Sequence, residues 1–503
     1  MIARKSALVV ATNIVNGLLG YIALFFITRN MSPSDYGLVQ FAFGFVTLFS
    51  VFATFGFHGA HIKKISEGKD LGTCIGTFFV TKIGLTGLMM SVIMIFIIIW
   101  KVFLGRGFET GEHEIAIYIM MLYWTINSFT GVFINTFKAK QEIAKAAIPA
   151  FFETFVRVIA TIIVALAGMG AIALAFTYIA GEVFYFLSGA YLFRKYPIKK
   201  PSFIYFKDYL KFAIPLIIVT ASNLIITQID KVLIQLFWAD QNVGYYSSIV
   251  QLTVFMTLFT VAISTLLFPT YSSLHKKDDI KSIKKLTFKS ERYLSMIVFP
   301  MVFGTIILAG PIVHVLLSNW SPAIPVLQIL PLFVLFQALE GPYQSQFLGM
   351  NKPNLARNRV LIMVIINIVL NIILIPKDIQ LLGLKLAGLG EVGASIATVI
   401  AFAAGLFYSR IMAWKLTNIK GNSRIFLHAI SAGFMAMVIY WLNIFIHIGR
   451  WYQLLGFVLF GMLIYFFILY LLKEFDKNDF YFFADTLNFK KMIRYIYDEI
   501  KRK

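Results

Sequence analysis

Fourteen apolar stretches separated by short polar breaks dominate the chain, at residues 7–28, 38–58, 72–100, 115–135, 147–167, 170–193, 212–237, 243–270, 293–318, 324–348, 358–376, 386–412, 425–446 and 451–472. A helix needs about 20 apolar residues to cross the hydrocarbon of a bilayer, so each stretch predicts one span. Composition agrees: 59% of the 503 residues are hydrophobic and 14% charged, against roughly 25% charged in an ordinary soluble domain. Little chain is left for large domains outside the membrane.

Charge sets the orientation. Assigning alternate breaks to the cytoplasm from the N-terminus puts 36 of the 45 Lys and Arg inside. Six are left outside, Arg29, Lys101, Arg106, Lys377, Lys385 and Arg450, with Lys82, Arg157 and Lys231 inside spans and Arg359 and Arg410, near span ends, counted with the adjoining loops. This bias is the usual signature of cytoplasmic loops and predicts a protein of the cell membrane with both termini on the cytoplasmic side. It also accounts for the net charge of +21 without nucleic acid. The basic run HKKDDIKSIKKLTFKSER at 275–292 reads as an orientation signal and anionic-lipid contact, with a partner site as the alternative. Basic Met1–Ser6 and the long apolar stretch after it read as an uncleaved first span rather than a signal peptide. After Leu472, the apolar residues Phe483, Leu487, Met492, Ile493, Ile496, Tyr497 and Ile500 alternate with Lys and Arg at helical spacing. That pattern predicts an interfacial anchor helix, or one that binds a partner.

Soluble-enzyme chemistry is missing. The chain has no GxxxxGK, HExxH or GxSxG motif. Its single cysteine, Cys74, excludes an internal disulfide framework and a cysteine-rich metal site, and no metal is expected. An enzyme of a soluble class is therefore not expected. The informative residues are seven ionisable groups inside predicted spans: Lys82, Glu153, Arg157, Glu182, Asp230, Lys231 and Glu340. At about 2.5–3.5 kcal/mol for a central charge, the sum of order 20 kcal/mol would exceed the ~5–15 kcal/mol of a typical fold. They must therefore pair, reach the interface or line a wet cavity. Arg157 lies deepest, and Glu153 four residues earlier shares its helical face, which allows an ion pair or a phosphate ligand. Lys82 can line a cavity or snorkel to the interface. Asp230 and Lys231 point about 100° apart on one helix, so they need not neutralise each other. Glu182 and Glu340 are candidates for proton or sodium coupling, or for interhelical hydrogen bonds.

A faint internal repeat joins the two halves. Asn13 precedes Tyr36 by 23 residues, and Asn223 precedes Tyr246 by the same distance, an offset of 210. Six spans lie between the two starts, so the repeat is parallel, about an axis along the membrane normal.

The segments RNMSPSDYGLVQFA, TQIDKVLIQLFWADQNVGYYSSIVQL and FLGMNKPNLARNRVLIMVIINIVLNIILIP, with a 6 + 6 + 2 helix layout, resemble the polysaccharide-biosynthesis flippases of the multidrug/oligosaccharidyl-lipid/polysaccharide exporter superfamily. The resemblance implies an all-α polytopic protein built as a V-shaped pair of six-helix lobes around a cavity that opens alternately to either side. The lobes would be residues 1–195 and 196–415, followed by two helices at 416–472 and the cytoplasmic tail at 473–503. It implies transport of a polyprenyl-phosphate or polyprenyl-pyrophosphate oligosaccharide to the outer leaflet. No cofactor is implied beyond H+ or Na+ as coupling ion, and a glycan polymerase or ligase is the expected neighbour. Basic cavity residues of such proteins would correspond here to Arg157, Lys82, Lys231 and Arg29. Glu153, Glu182, Asp230 and Glu340 would serve ion coupling or charge pairing. Three bases against four acids leave the seven in-span groups at a formal −1. That keeps a cation-coupled multidrug exporter in view as the alternative, and an integral-membrane glycosyltransferase or polymerase as a second.

Overall fold

The computed structural model describes residues 2–103, 108, 110–318, 320–379, 383–419 and 421–475. Seventeen α-helices follow one another among them. The first seven are α1 Ile2–Asn30, α2 Pro33–Thr54, α3 Phe57–Ser66, α4 Leu71–Ile98, α5 Gly111–Ala139, α6 Ile143–Leu166 and α7 Ala171–Phe193. Next come α8 Phe203–Phe237, α9 Asp240–Lys276, α10 Ile280–Ile307, α11 Ala309–Leu316, α12 Ile324–Ile329, α13 Leu332–Gly349, α14 Pro353–Leu374 and α15 Gly390–Thr417. Then α16 Arg424–Phe445 and α17 Trp451–Leu471 complete the set. A two-residue hairpin, Asp378–Ile379 against Leu384–Lys385, is the strand structure among the described residues.

Every predicted apolar stretch overlaps a long helix or a helix pair. Among the described residues eleven helices are long and apolar enough to cross a membrane, or twelve when α10 and α11, bent by 73°, count as one span. Helices α1 and α9 lie on the two remaining stretches. The predicted amphipathic tail helix lies outside the described residues.

Local chemistry explains the breaks. The SPSDYG motif is a helix start: Ser32 caps α2, its Oγ accepting from the Asp35 N–H at 3.1 Å while Asp35 Oδ2 accepts from the Ser32 N–H at 3.3 Å. Pro33 opens α2, where its missing N–H costs nothing. Asp240 opens α9 207 residues later, and there the Ala239 N–H donates to Asn242 Oδ1 at 3.4 Å. Helix starts thus align Asp35-Tyr36-Gly37 with Asn242-Val243-Gly244, three residues off the register that pairs the tyrosines. Left-handed Phe55 and Gly56, at φ 40° and 72°, separate α2 from α3.

Because successive spans alternate direction, the breaks after α1, α4, α6, α8, α11, α14 and α16 share one membrane face, the face poor in Lys and Arg. Here the two halves of the chain seal against each other. A methyl group on Gly37 would lie 1.8 Å from the Asp240 carbonyl oxygen, and one on Gly244 2.1 Å from that of Pro33. The backbones of α2 and α9 therefore touch reciprocally. His113 Nε2 of α5 lies 3.0 Å from Asp240 Oδ1, and Tyr36 packs on Trp320. One apolar core continues through this face, from Leu24 and Val39 to Val313 and Leu327.

Candidate functional site

Beneath the seal lies a cavity of about 260 Å³ between α1, α2, α6 and α7, closed on its far side by Lys231 of α8 and Gln251 of α9. Among the described residues the lining holds two cations, Arg157 and Lys231, and no carboxylate. Glu153 Oε1 accepts from Arg157 Nε at 2.8 Å, using one of the five guanidinium donors, and the guanidinium sits 5.2 Å over the Tyr178 ring. Lys231 Nζ donates to Gln40 Oε1 at 3.0 Å, and Gln40 Nε2 donates to the Tyr178 hydroxyl at 2.9 Å. One chain of contacts thus joins both cations through Tyr178. Among the described residues no carboxylate pairs with Lys231, a buried ammonium that uses one of its three donors. A desolvated cation with donors to spare favours an anion.

The other in-span charges are satisfied elsewhere. Lys82 is fully buried away from the cavity, donating at 2.8 Å to the Ala53 carbonyl at the end of α2, where a cation complements the helix dipole. Arg29 donates to Val315 O at 3.1 Å and neighbouring Thr28 to Leu316 O at 3.2 Å, capping α11 from α1 within the seal. Glu182 accepts from Thr130 at 3.0 Å and Asn127 at 3.2 Å, both on α5. Glu340 pairs with buried Arg359 and accepts from Ser409 at 3.2 Å. The formal −1 of the seven groups therefore does not describe the cavity, because its lining contains only the two bases.

Asp230 turns away from Lys231 into a polar cluster between α8, α9, α14 and α15. Its carboxylate accepts from Asn371 at 2.6 Å, Thr398 at 2.8 Å and Asn367 at 3.4 Å, and from the Tyr246 hydroxyl. Asn371 Oδ1 is buried there without a hydrogen-bond partner.

The family model for "Polysaccharide biosynthesis protein" matches residues 26–325. The chain belongs to the polysaccharide biosynthesis protein family. Two relatives of this family member match it over nearly its full length. A "probable low-salt glycan biosynthesis flippase Agl15" of Haloferax volcanii is 23% identical over 92% of this chain and 94% of its own. A "probable flippase AglR" of the same organism is 20% identical over 93% and 95%. Among solved structures, lipid II flippase MurJ in an inward closed conformation superposes with TM-score 0.74 over 92% of this chain at 16% identity. An inward-facing MATE-family transporter of the MOP superfamily superposes at 0.65 over 80%, also at 16% identity. The family member thus has the fold of MOP-superfamily transporters.

Sequence reasoning reached Arg157 and Lys231 but not the neutral half of the site. Gln40, Tyr178, Asn16 and Gln251 carry no charge, and an amide or phenol in an apolar helix is too ordinary to single out. Arg359, counted with the loop before α14, is buried against Glu340.

Proposed function

We propose that the chain is a flippase that moves a polyprenyl-phosphate or polyprenyl-pyrophosphate oligosaccharide from the cytoplasmic to the outer leaflet by alternating access, with both termini in the cytoplasm. The observation that carries this reading is the carboxylate-free cavity lining with Arg157 and Lys231 linked through Tyr178. A phosphate and its sugars cannot cross hydrocarbon unaided. A cavity with fixed cations replaces water around the head group while the lipid tail stays in the bilayer. The names of the two haloarchaeal relatives point the same way, and a glycan polymerase or ligase would consume the product. A cationic drug, as a multidrug exporter would carry, finds no carboxylate in this lining. Reconstituted in proteoliposomes, the chain is expected to move a labelled lipid-linked oligosaccharide across the bilayer faster than empty vesicles do. Equal rates would discard the reading.

In the same reading Asp230 binds the coupling cation. Hard cations take oxygen ligands, and the Asp230 carboxylate has the Thr398 and Tyr246 hydroxyl oxygens hydrogen-bonded to it, with the unpartnered Asn371 Oδ1 in the same cluster. Asp230 and Lys231 adjoin on α8, so an ion on one face and a phosphate on the other bias the same helix. Transport by the wild type is expected to rise under an imposed Na+ or proton gradient, and Asp230→Asn to lose that response while keeping slow downhill exchange. A variant that still answers the gradient as the wild type does would remove the residue from coupling.

A further inference from the structure

We infer that Asn16 and Gln251 form a sugar-reading subsite that binds the first sugar next to the phosphate, an inference that rests on the glycolipid reading. Both amides line the cavity. Asn16 Oδ1 is buried with no hydrogen-bond partner, an acceptor left without a donor. Gln251 reaches the cavity because residue 20 is glycine: a Cβ there would lie 2.6 Å from Gln251 Nε2. The neighbouring Tyr21 hydroxyl donates to Leu252 O at 2.7 Å and ties α1 to α9 at this level.

Depth along the helices separates this pair from the cations. At 1.5 Å per residue, Lys231 and Arg157 lie about 9 and 14 Å from the charge-poor ends of α8 and α6. By the same rise, Gln251 and Asn16 lie about 17 and 21 Å from those of α9 and α1. Averaged over each pair, the offset is about one and a half helical turns, which matches a sugar ring placed beside its own phosphate. Charge at one level and neutral amides at the next suit a glycosyl phosphate: the cations hold the anion, and the amides exchange hydrogen bonds with ring hydroxyls or an acetamido group. Amides donate and accept at once, which hydroxyl recognition needs and phosphate recognition does not.

The test compares two probes on the purified full-length protein in detergent, farnesyl phosphate and farnesyl phosphoryl N-acetylglucosamine, by equilibrium binding. Asn16→Leu and Gln251→Leu are each expected to weaken the glycosyl probe about ten-fold, the loss of about one good hydrogen bond, and to leave farnesyl phosphate within about two-fold. Gly20→Ala is expected to reproduce the Gln251 effect by displacing its amide. Unchanged binding of the sugar-free probe also shows that each variant is folded. Equal weakening of both probes, or of neither, would remove the subsite while leaving the flippase reading intact. A wild type that binds neither probe would instead overturn the glycolipid reading beneath it.

Discussion

Replacing Arg157 by glutamine is expected to abolish movement of a labelled lipid-linked oligosaccharide in proteoliposomes. A unit charge pair at 4 Å in an effective dielectric near 20 is worth about 4 kcal/mol, which corresponds to roughly 1,000-fold in affinity. The guanidinium suits a phosphate ligand, since its planar fork matches the oxygens, and Glu153 and the Tyr178 ring fix its direction. The single change leaves Glu153 without its partner, and an unpaired carboxylate inside a bundle is destabilising in its own right. The double variant Glu153→Gln, Arg157→Gln removes both charges and retains an amide pair that can hydrogen-bond. It is expected to fold, to show wild-type melting behaviour and still to fail in transport. Lys231→Gln in the wild-type background is expected to lower the rate less, since Arg157 persists. Glu153→Gln alone frees Arg157 from its competitor and should tighten head-group binding while slowing release. Normal transport by the double variant would take Arg157 out of the mechanism.

The apolar helices were legible because hydropathy is local: about twenty apolar residues announce a membrane-length helix wherever their neighbours fold. The cation roles were not, because they depend on distant carbonyls. Arg29 is satisfied by Val315, 286 residues away, at the end of a helix that exists only because the chain bends by 73° after α10. Lys82 is satisfied by Ala53, where left-handed Phe55 and Gly56 stop α2 and expose its last carbonyls. Neither break follows from apolar periodicity. In contrast, the separation of Asp230 from Lys231 was visible, since adjacent helical residues point 100° apart in any helix. Their environments differ as that geometry requires: Lys231 meets the cavity, and Asp230 meets Asn371 and Thr398. The repeat was legible to within one turn. The capping arrangement at Ser32 and Ala239 fixes its register more firmly than the two tyrosines, because a cap marks where a helix begins and a tyrosine does not.

Gly37→Ala is expected to hold the charge-poor face open. Alanine's methyl would sit 1.8 Å from the carbonyl oxygen of Asp240, and neither atom can escape by changing rotamer because both belong to helix backbones or their first side-chain carbon. Overpacking of flexible side chains already costs about 1–3 kcal/mol, so a backbone collision of this kind costs at least about 3 kcal/mol. That is on the order of a 100-fold shift against the sealed state. The collision would spread α2 from α9, stretch the His113–Asp240 contact of 3.0 Å and withdraw Tyr36 from Trp320. A cysteine at Thr161, which lines the cavity, reports the result once the native Cys74 is replaced by alanine. With glycine at 37, a membrane-impermeant thiol reagent added on the charge-poor side should label this position slowly. With alanine, labelling should accelerate at least about ten-fold, and transport should fall because a cavity that cannot seal on one side cannot alternate. Gly244→Ala meets Pro33 O in the same way and should behave alike, whereas His113→Ala removes side-chain contacts to Asp240, Thr110 and Gln235 but leaves the backbone crossing intact, and should open the face less. Slow labelling and full transport in both glycine variants would mean that the α2–α9 crossing is not the gate.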